Sequence, residues 1–347
     1  MGRSVVIVTL ALAVAGASAG PAGSGAVDPH DQPDGVLVLG VAGYDREVDA
    51  VTREWALTAN PRTGEARRRR LVGGTLCHGP LLAVGDHVIF SAYRGRRAIA
   101  RALPLSMTGP SRTFGRADTF APSDEPDRMW LGRWDRSGGR KRRWSNRPVP
   151  VSLREVDAVG RETARASALL PRFSQLHAST ADGFVSTEGR WLTLRASGRD
   201  RPLLRLRDAW FSAAGASTFA WCSGRCRAFW VTTRAGNRRL RPPAGLRLAR
   251  PEGALSPDEQ WLAAGVTVRG RRRAAVVDVR SGRWTLVPEG RLGGYQVMAW
   301  SPSGRWLYFT AGNRRLYGWR LGAQNAVPLP VRPGGTVMSI ATAEGSG

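Results

Sequence analysis

From Val36 onward the apolar positions come in short runs of Val, Leu, Trp, Phe and Thr. Each run is broken within a few residues by Gly, Asn, Asp or Pro. No segment holds apolar residues at the spacing of about 3.6 that a helix needs over three turns. The pattern is that of many short strands joined by tight turns. The 42 glycines and 22 prolines supply the turn residues. An all-β chain is therefore expected.

A repeat is clearest near the C-terminus. Leu255-Ser-Pro-Asp-Glu-Gln-Trp261-Leu-Ala matches Trp300-Ser-Pro-Ser-Gly-Arg-Trp306-Leu-Tyr, and Trp261 and Trp306 stand 45 residues apart. Each copy continues through a Gly/Arg turn into a second apolar run. These runs are Ala274-Ala-Val-Val-Asp-Val-Arg-Ser-Gly282 and Leu316-Tyr-Gly-Trp-Arg-Leu-Gly322, and a third run follows each of them. The unit is about four strands in about 45 residues, the size of one propeller blade.

Weaker copies precede these two. Trp55-Ala-Leu-Thr-Ala-Asn-Pro-Arg-Thr-Gly64 resembles the Val-Asp-Val-Arg-Ser-Gly strand and turn. Hairpins are expected at Asp86–Tyr93 with Arg97–Leu103, Arg128–Trp134 with Val151–Asp157, and Gly183–Ser186 with Arg190–Leu194. Gly189-Arg-Trp-Leu192 also looks like Gly304-Arg-Trp-Leu307, but their offset is no multiple of the repeat, so they are not equivalent strands. The chain from Gly35 accommodates about seven units of about 45 residues. This predicts a β-propeller of about seven four-stranded blades, closed where Val36–Leu39 pairs with Thr336–Ile340.

The Ser-Pro-Asp/Ser-x-x-Trp-Leu units resemble those of TolB-type and WD40-like propellers. The Trp-Asp dipeptide of WD40 repeats is missing from the repeat ends, so the TolB-like description fits better. With Phe120–Leu131 and the Trp221-Cys-x3-Cys-Arg227 segment included, the chain resembles exported propeller-like proteins of high-GC bacteria. That resemblance implies no assigned activity and no catalytic residues.

The N-terminus adds a destination. Arg3 precedes an apolar run from Val5 to Ala15, shorter than the ~20 residues of a membrane span, and Ala17-Ser-Ala19 is a signal-peptidase pattern. Residues 1–19 read as a signal peptide, 20–34 as a Gly/Pro/Ala/Asp-rich linker and 35–347 as the propeller. The mature chain is expected to be secreted or associated with the cell envelope. No later apolar run approaches spanning length.

Three cysteines then read as disulfide candidates. Cys222 and Cys226 flank a Ser-Gly-Arg turn between two aromatic runs and are expected to clip a hairpin, while Cys77 is left over. A lone C-x3-C lacks the second pair that a zinc site needs.

Charge changes the picture most. Lys+Arg is 52 against 27 Asp+Glu, a net charge of +25, and Lys141 is the one lysine. Arginine codons are GC-rich, so genome composition accounts for such a balance without selection for binding. The field is real in either case, since arginine is always charged. Three clusters stand out: Arg67, Arg68, Arg69 and Arg70; Arg140, Lys141, Arg142 and Arg143, beside Trp144 in an insertion from Asp135 to Pro150; and Arg271, Arg272 and Arg273. All three are expected in loops, as anion-binding candidates for an unknown protein or an anionic envelope polymer. An exported chain rarely meets nucleic acid, so that is not the expected partner.

No catalytic motif is legible. His30, His78, His87 and His177 occur singly, and neither a zincin, a nucleophile-elbow nor a phosphate-loop motif is present. No catalytic residue, metal ligand or cofactor is therefore assigned. Asp182, Asp208, Asp258, Glu259 and Asp278 would have to converge at a channel mouth to support the alternative, an exported propeller hydrolase or lyase. The expected function is a non-enzymatic binding or scaffold module.

Overall fold

The computed structural model describes residues 32–45, 50–71, 81–94, 97–134, 148–171, 174–188, 191–196, 202–224, 226–233, 235–292, 297–312 and 314–344. The expected signal peptide, His30, Cys77, His78 and the cluster at 140–143 lie outside these residues.

The described residues form seven four-stranded antiparallel sheets and no helix. Blade 1 holds β1 (Val36–Asp45), β2 (Ala50–Ala59) and β3 (Ala66–Arg70). Blade 2 holds β4 (Leu82–Val84), β5 (His87–Arg94), β6 (Arg97–Pro104) and β7 (Arg112–Arg116). Blade 3 holds β8 (Thr119–Pro122), β9 (Arg128–Trp134), β10 (Pro148–Asp157) and β11 (Glu162–Pro171). Blade 4 holds β12 (Gln175–Thr180), β13 (Gly183–Glu188), β14 (Trp191–Arg195) and β15 (Leu204–Arg207). Blade 5 holds β16 (Ala209–Ala214), β17 (Phe219–Ser223), β18 (Phe229–Thr233) and β19 (Gly236–Leu240). Blade 6 holds β20 (Leu246–Leu255), β21 (Trp261–Val268), β22 (Arg271–Asp278) and β23 (Trp284–Arg291). Blade 7 holds β24 (Met298–Trp300), β25 (Trp306–Ala311), β26 (Arg315–Arg320) and β27 (Val327–Pro328). The last strand, β28 (Thr336–Ala343), returns to complete blade 1 in the order β28-β1-β2-β3.

That return is the expected closure. Val36 pairs with Ala343 and Leu39 with Ile340, antiparallel, so the two ends of the chain share one sheet. The propeller thereby hides edges that an open array would expose. The first strands of blades 3 to 7 neighbour one another in turn, followed by β28 and then β4.

Strand alternation builds the core. Successive side chains point to opposite faces of a strand. In β1, Leu37, Leu39 and Val41 pack against Trp306, Tyr308 and Leu316 of blade 7, while Val38 packs against Val88 and Phe90 of blade 2. In β9, Met129 and Leu131 face blade 2 and Trp130 faces blade 4. In β22, Val276 faces blade 7 and Val277 faces blade 5. One further cluster joins blades 4 and 5, so every pair of adjacent blades shares apolar side chains. Each fully buried Leu or Val contributes about 1.5–3 kcal/mol, which gives both faces of a blade a reason to be apolar.

The repeat has a physical cause. In both Ser-Pro copies the serine is buried, and its hydroxyl accepts the tryptophan amide, Trp261 to Ser256 at 3.0 Å and Trp306 to Ser301 at 3.2 Å. The weaker resemblance between blades 1 and 6 holds as well. Asn60 Oδ1 accepts the amides of Arg62 and Thr63, as Asp278 Oδ1 accepts those of Arg280 and Ser281. Trp191 opens the third strand of its blade and Trp306 the second, so the Gly-Arg-Trp-Leu copies are indeed not equivalent.

Two placements differ from expectation. Arg67–Arg70 lie in β3, not in a loop, because β3 is an outermost strand whose backbone pairs with β2 from Ala59↔Ala66 to Trp55↔Arg70. With one edge unpaired and its side chains largely exposed, such a strand needs no apolar residue to form. Arg271–Arg273 likewise begin β22. The turn is only Arg269-Gly270, both with positive φ, the two-residue type that matches strand twist. The insertion also ends earlier than read, since β10 begins at Pro148.

Candidate functional site

An antiparallel meander sends its connections alternately to two ends of the propeller. The exit end collects the first-to-second and third-to-fourth turns of each blade. The entry end collects the second-to-third turns and the blade-to-blade connections. The exit end carries most of the described carboxylates, among them Asp86, Asp124, Asp157, Asp182, Asp258 and Asp278.

The five carboxylates considered for hydrolysis do not converge. Asp208 lies between blades 4 and 5 at the entry end, with Arg207 Nε 3.7 Å away. The other four lie at exit-end turns. Asp258 accepts the Ser256 hydroxyl and the Gln260 amide. Glu259 binds Ser217 of the neighbouring blade through both its amide, at 2.7 Å, and its hydroxyl, at 2.6 Å. The Ser281 amide, foremost, holds the exposed Asp278 carboxyl below its ordinary range. Among the described residues no cluster of three His, Cys, Asp or Glu is arranged to hold a metal.

The described histidines are packing residues. His177 stacks on Phe211 at 4.4 Å and shares a 2.6 Å hydrogen bond with Thr187 Oγ1. Burial pushes its imidazole down to about 4, so it is neutral at pH 7. His87 is buried and meets Asp86 through Nδ1. Two buried carboxylates escaped the sequence reading. Glu155 accepts the hydroxyls of Ser123 and Thr163, with Arg128 at 3.6 Å, and Glu188 pairs with buried Arg195 at 2.8 Å. Both are met by donors from neighbouring strands, as buried charge requires.

The entry end of blades 5 to 7 is different. Three clefts there are lined by arginine. The cleft in blade 5, of ≈ 270 Å³, is bordered by Arg227, Trp230 and Arg239. It sits beside the Cys222–Cys226 bridge, whose Cα atoms are 5.0 Å apart, inside the range a disulfide spans. Trp230 stacks on Trp221 at 5.6 Å, and the Arg239 guanidinium lies over the Trp230 ring at 5.6 Å.

The second cleft, of ≈ 490 Å³, lies between blades 6 and 7 and is lined by Arg271, Arg273, Glu289, Arg291 and Tyr317. Arg273 and Arg291 are register partners across β22 and β23. One guanidinium nitrogen of Arg273 donates to the Val287 carbonyl at 2.9 Å, while its Nε is buried without a partner. The third cleft, of ≈ 630 Å³, adjoins the second at Tyr317. Arg314, Arg315 and Arg332 line it, together with the stretch Pro328–Gly334. Among the described residues Arg271, Arg291, Arg314, Arg315 and Arg332 make no ion pair.

The sequence singled out Arg271–Arg273 but missed Arg291, Arg314, Arg315, Arg332 and Tyr317. A signal existed for two of them. Aligning the Gly270 and Gly312 turns of the two repeats sets Arg272-Arg273 against Arg314-Arg315. Arg291 ends β23 and is brought in by pairing with β22, and Arg332 lies in the stretch after β27.

No family model matches this chain, and no curated protein does. Solved structures do resemble it. The β-propeller domain of the Trilobed protease from Pyrococcus furiosus aligns at a TM-score of 0.58 with 8% identity, over 86% of this chain and 92% of that one. The periplasmic gluconolactonase of Pseudomonas aeruginosa aligns at 0.50 with 15% identity, over 89% of this chain and 100% of that one. TolB from Acinetobacter baumannii aligns at 0.46 with 14% identity, over 88% of this chain and 66% of that one. At these identities the likeness is one of fold, the β-propeller.

Proposed function

We propose that this chain is an exported, non-enzymatic binding propeller that holds an anionic partner, a protein or a polymer of the cell envelope, at the entry end of blades 5 to 7. The observation that carries this reading is the coincidence of three arginine-lined clefts at one end of three consecutive blades. Guanidinium groups that share these clefts with a single carboxylate, Glu289, repel one another, and an incoming anion relieves that repulsion. Their planar forks suit bidentate binding of carboxylate or phosphate. Of the carboxylates that would serve a hydrolase or lyase, Asp258 and Asp278 are engaged in turns and Glu259 in a bond to the neighbouring blade, which favours binding over turnover.

Export rests on the N-terminal pattern of Arg3, the Val5–Ala15 run and Ala17-Ser-Ala19. A short disulfide between Cys222 and Cys226 suits the same oxidising compartment.

Co-sedimentation with native cell envelopes, stepped from low to high salt, tests the reading. The purified chain should pellet at low salt and be released at moderate salt. A variant with Arg271, Arg273, Arg291, Arg314, Arg315 and Arg332 all changed to Ser should stay in solution throughout. Equal retention of that variant would refute the proposal.

A further inference from the structure

The second and third clefts differ in what lies beneath their arginines. The second holds one carboxylate, Glu289, and has Tyr317 as its wall toward blade 7. The third is floored by Pro328, Leu329, Pro330, Val331 and Pro333. Proline has no backbone N–H. Of that stretch Pro328 and Pro330 are exposed while Leu329, Val331 and Pro333 are buried, so the two prolines offer apolar surface beside Arg314, Arg315 and Arg332. The clefts meet at Tyr317, and Pro328 is the register partner of Tyr317 across the short edge strand β27. Tyr317 is fixed from behind by stacking on Phe309, with ring centroids 5.8 Å apart.

An occupant of both clefts must therefore offer anions at two places and apolar groups beside at least one of them. A polyphosphate or a sugar-phosphate polymer offers anions alone. An extended peptide with carboxylates interspersed among apolar side chains offers both. The cleft volumes, ≈ 490 and ≈ 630 Å³, suit a few side chains each. β27 is only two residues long and is followed by further prolines, so it is a poor template for adding a strand. The contact is then made by side chains.

Resting on the anion-binding reading above, we propose that the two clefts around Tyr317 form one bipartite docking site for an extended acidic segment of a partner protein. An apolar side chain of that segment sits against the exposed Pro328 and Pro330. Its carboxylates are held on one side by Arg271, Arg273 and Arg291, and on the other by Arg314, Arg315 and Arg332.

Fluorescence anisotropy on the full chain tests this. The probes are a labelled twelve-residue peptide alternating Glu with Leu, the same peptide with Ser for Leu, and inorganic polyphosphate as competitor. The Glu/Leu peptide should bind at least about tenfold more tightly than the Glu/Ser peptide, because it adds apolar burial to the same charge. Polyphosphate of equal charge should compete no better than the Glu/Ser peptide. Serine replacement of either arginine trio, all five exposed members plus half-buried Arg273, should each weaken the Glu/Leu peptide by about tenfold. Circular dichroism of both variants checks that they fold, and the variant at 314, 315 and 332 gives the answer alone if the other fails. Equal affinity for the two peptides, or tighter binding of polyphosphate, would overturn the docking site and leave the anion-binding reading standing. Binding of every probe unchanged in both variants would overturn the two together.

Discussion

The run Arg67–Arg70 lies along β3, the outermost strand of blade 1, whereas Arg271–Arg273 opens β22, one strand in from the edge of blade 6. The two are almost the same in sequence. In the first, two of the four cations have partners. Arg67 is 3.6 Å from Glu65 with both side chains exposed, and Arg69 donates to the Gly109 carbonyl. In the second, register pairing brings Arg291 beside Arg273, and the adjoining blade adds Tyr317. A basic edge strand discourages edge-to-edge pairing with another chain. A basic third strand facing the next blade makes a cleft. The number of arginines is therefore a poor guide to binding, and their strand position is a better one.

The sharpest way to break this contrast is charge reversal. Changing Arg271, Arg273 and Arg291 to Glu should weaken poly-L-glutamate binding about 100-fold or more, roughly 2.7 kcal/mol. The same change at Arg67, Arg68 and Arg70 should cost less than about threefold, measured by anisotropy at one salt concentration. Similar losses from the two would erase the distinction.

The turns leading into the two runs should differ in stability by a smaller amount. Gly64 and Gly270 both have φ of +76°. A side chain at Gly64 would meet the Pro330 carbonyl oxygen at 2.7 Å, while nothing lies within 4 Å of one at Gly270. Gly270→Ala should cost about 1 kcal/mol, from the left-handed backbone alone. Gly64→Ala should cost about 1–2 kcal/mol more, as the blade 7 connection shifts. Thermal melts of the two variants decide the point.

Glu289 offers a gain instead of a loss. It is the carboxylate lining the cleft of Arg271, Arg273 and Arg291, so Glu289→Gln should tighten poly-L-glutamate two- to fivefold, roughly 0.4–1 kcal/mol. The smallest effect belongs to the exposed pair on the edge strand. Glu65→Gln should change stability by less than about 0.5 kcal/mol, within the error of a denaturant titration.

Much of the architecture was legible because it rests on local rules. The Ser-Pro-x-x-x-Trp units announced blade length, since the serine hydroxyl must meet the tryptophan amide in each copy. The apolar runs at Val36–Leu39 and Thr336–Ile340 pointed to closure, since strands at the two ends of a propeller chain can complete one shared blade. The strand positions of Arg67–Arg70 and Arg271–Arg273 were not legible. Arginine is read as a loop residue when its neighbours are polar, and an edge strand gives no apolar alternation to correct that. The cleft was half legible. Arg314 and Arg315 could be reached from the repeat, but Arg291 joins it through the pairing of β22 with β23, and Arg332 through the stretch that follows β27.

The salt dependence of poly-L-glutamate binding tests most directly whether position, and not number, makes these arginines a site. It should be measured for the unaltered chain, for the variant with Arg67, Arg68 and Arg70 changed to Ser, and for the variant with Arg271, Arg273 and Arg291 changed to Ser. Each lost contact lowers the log–log slope by about 0.7–0.9 in polyanion binding. The account predicts a fall of about two in the cleft variant and almost none in the edge-strand variant. Equal falls in both would contradict it and reduce the binding to the net charge of +25.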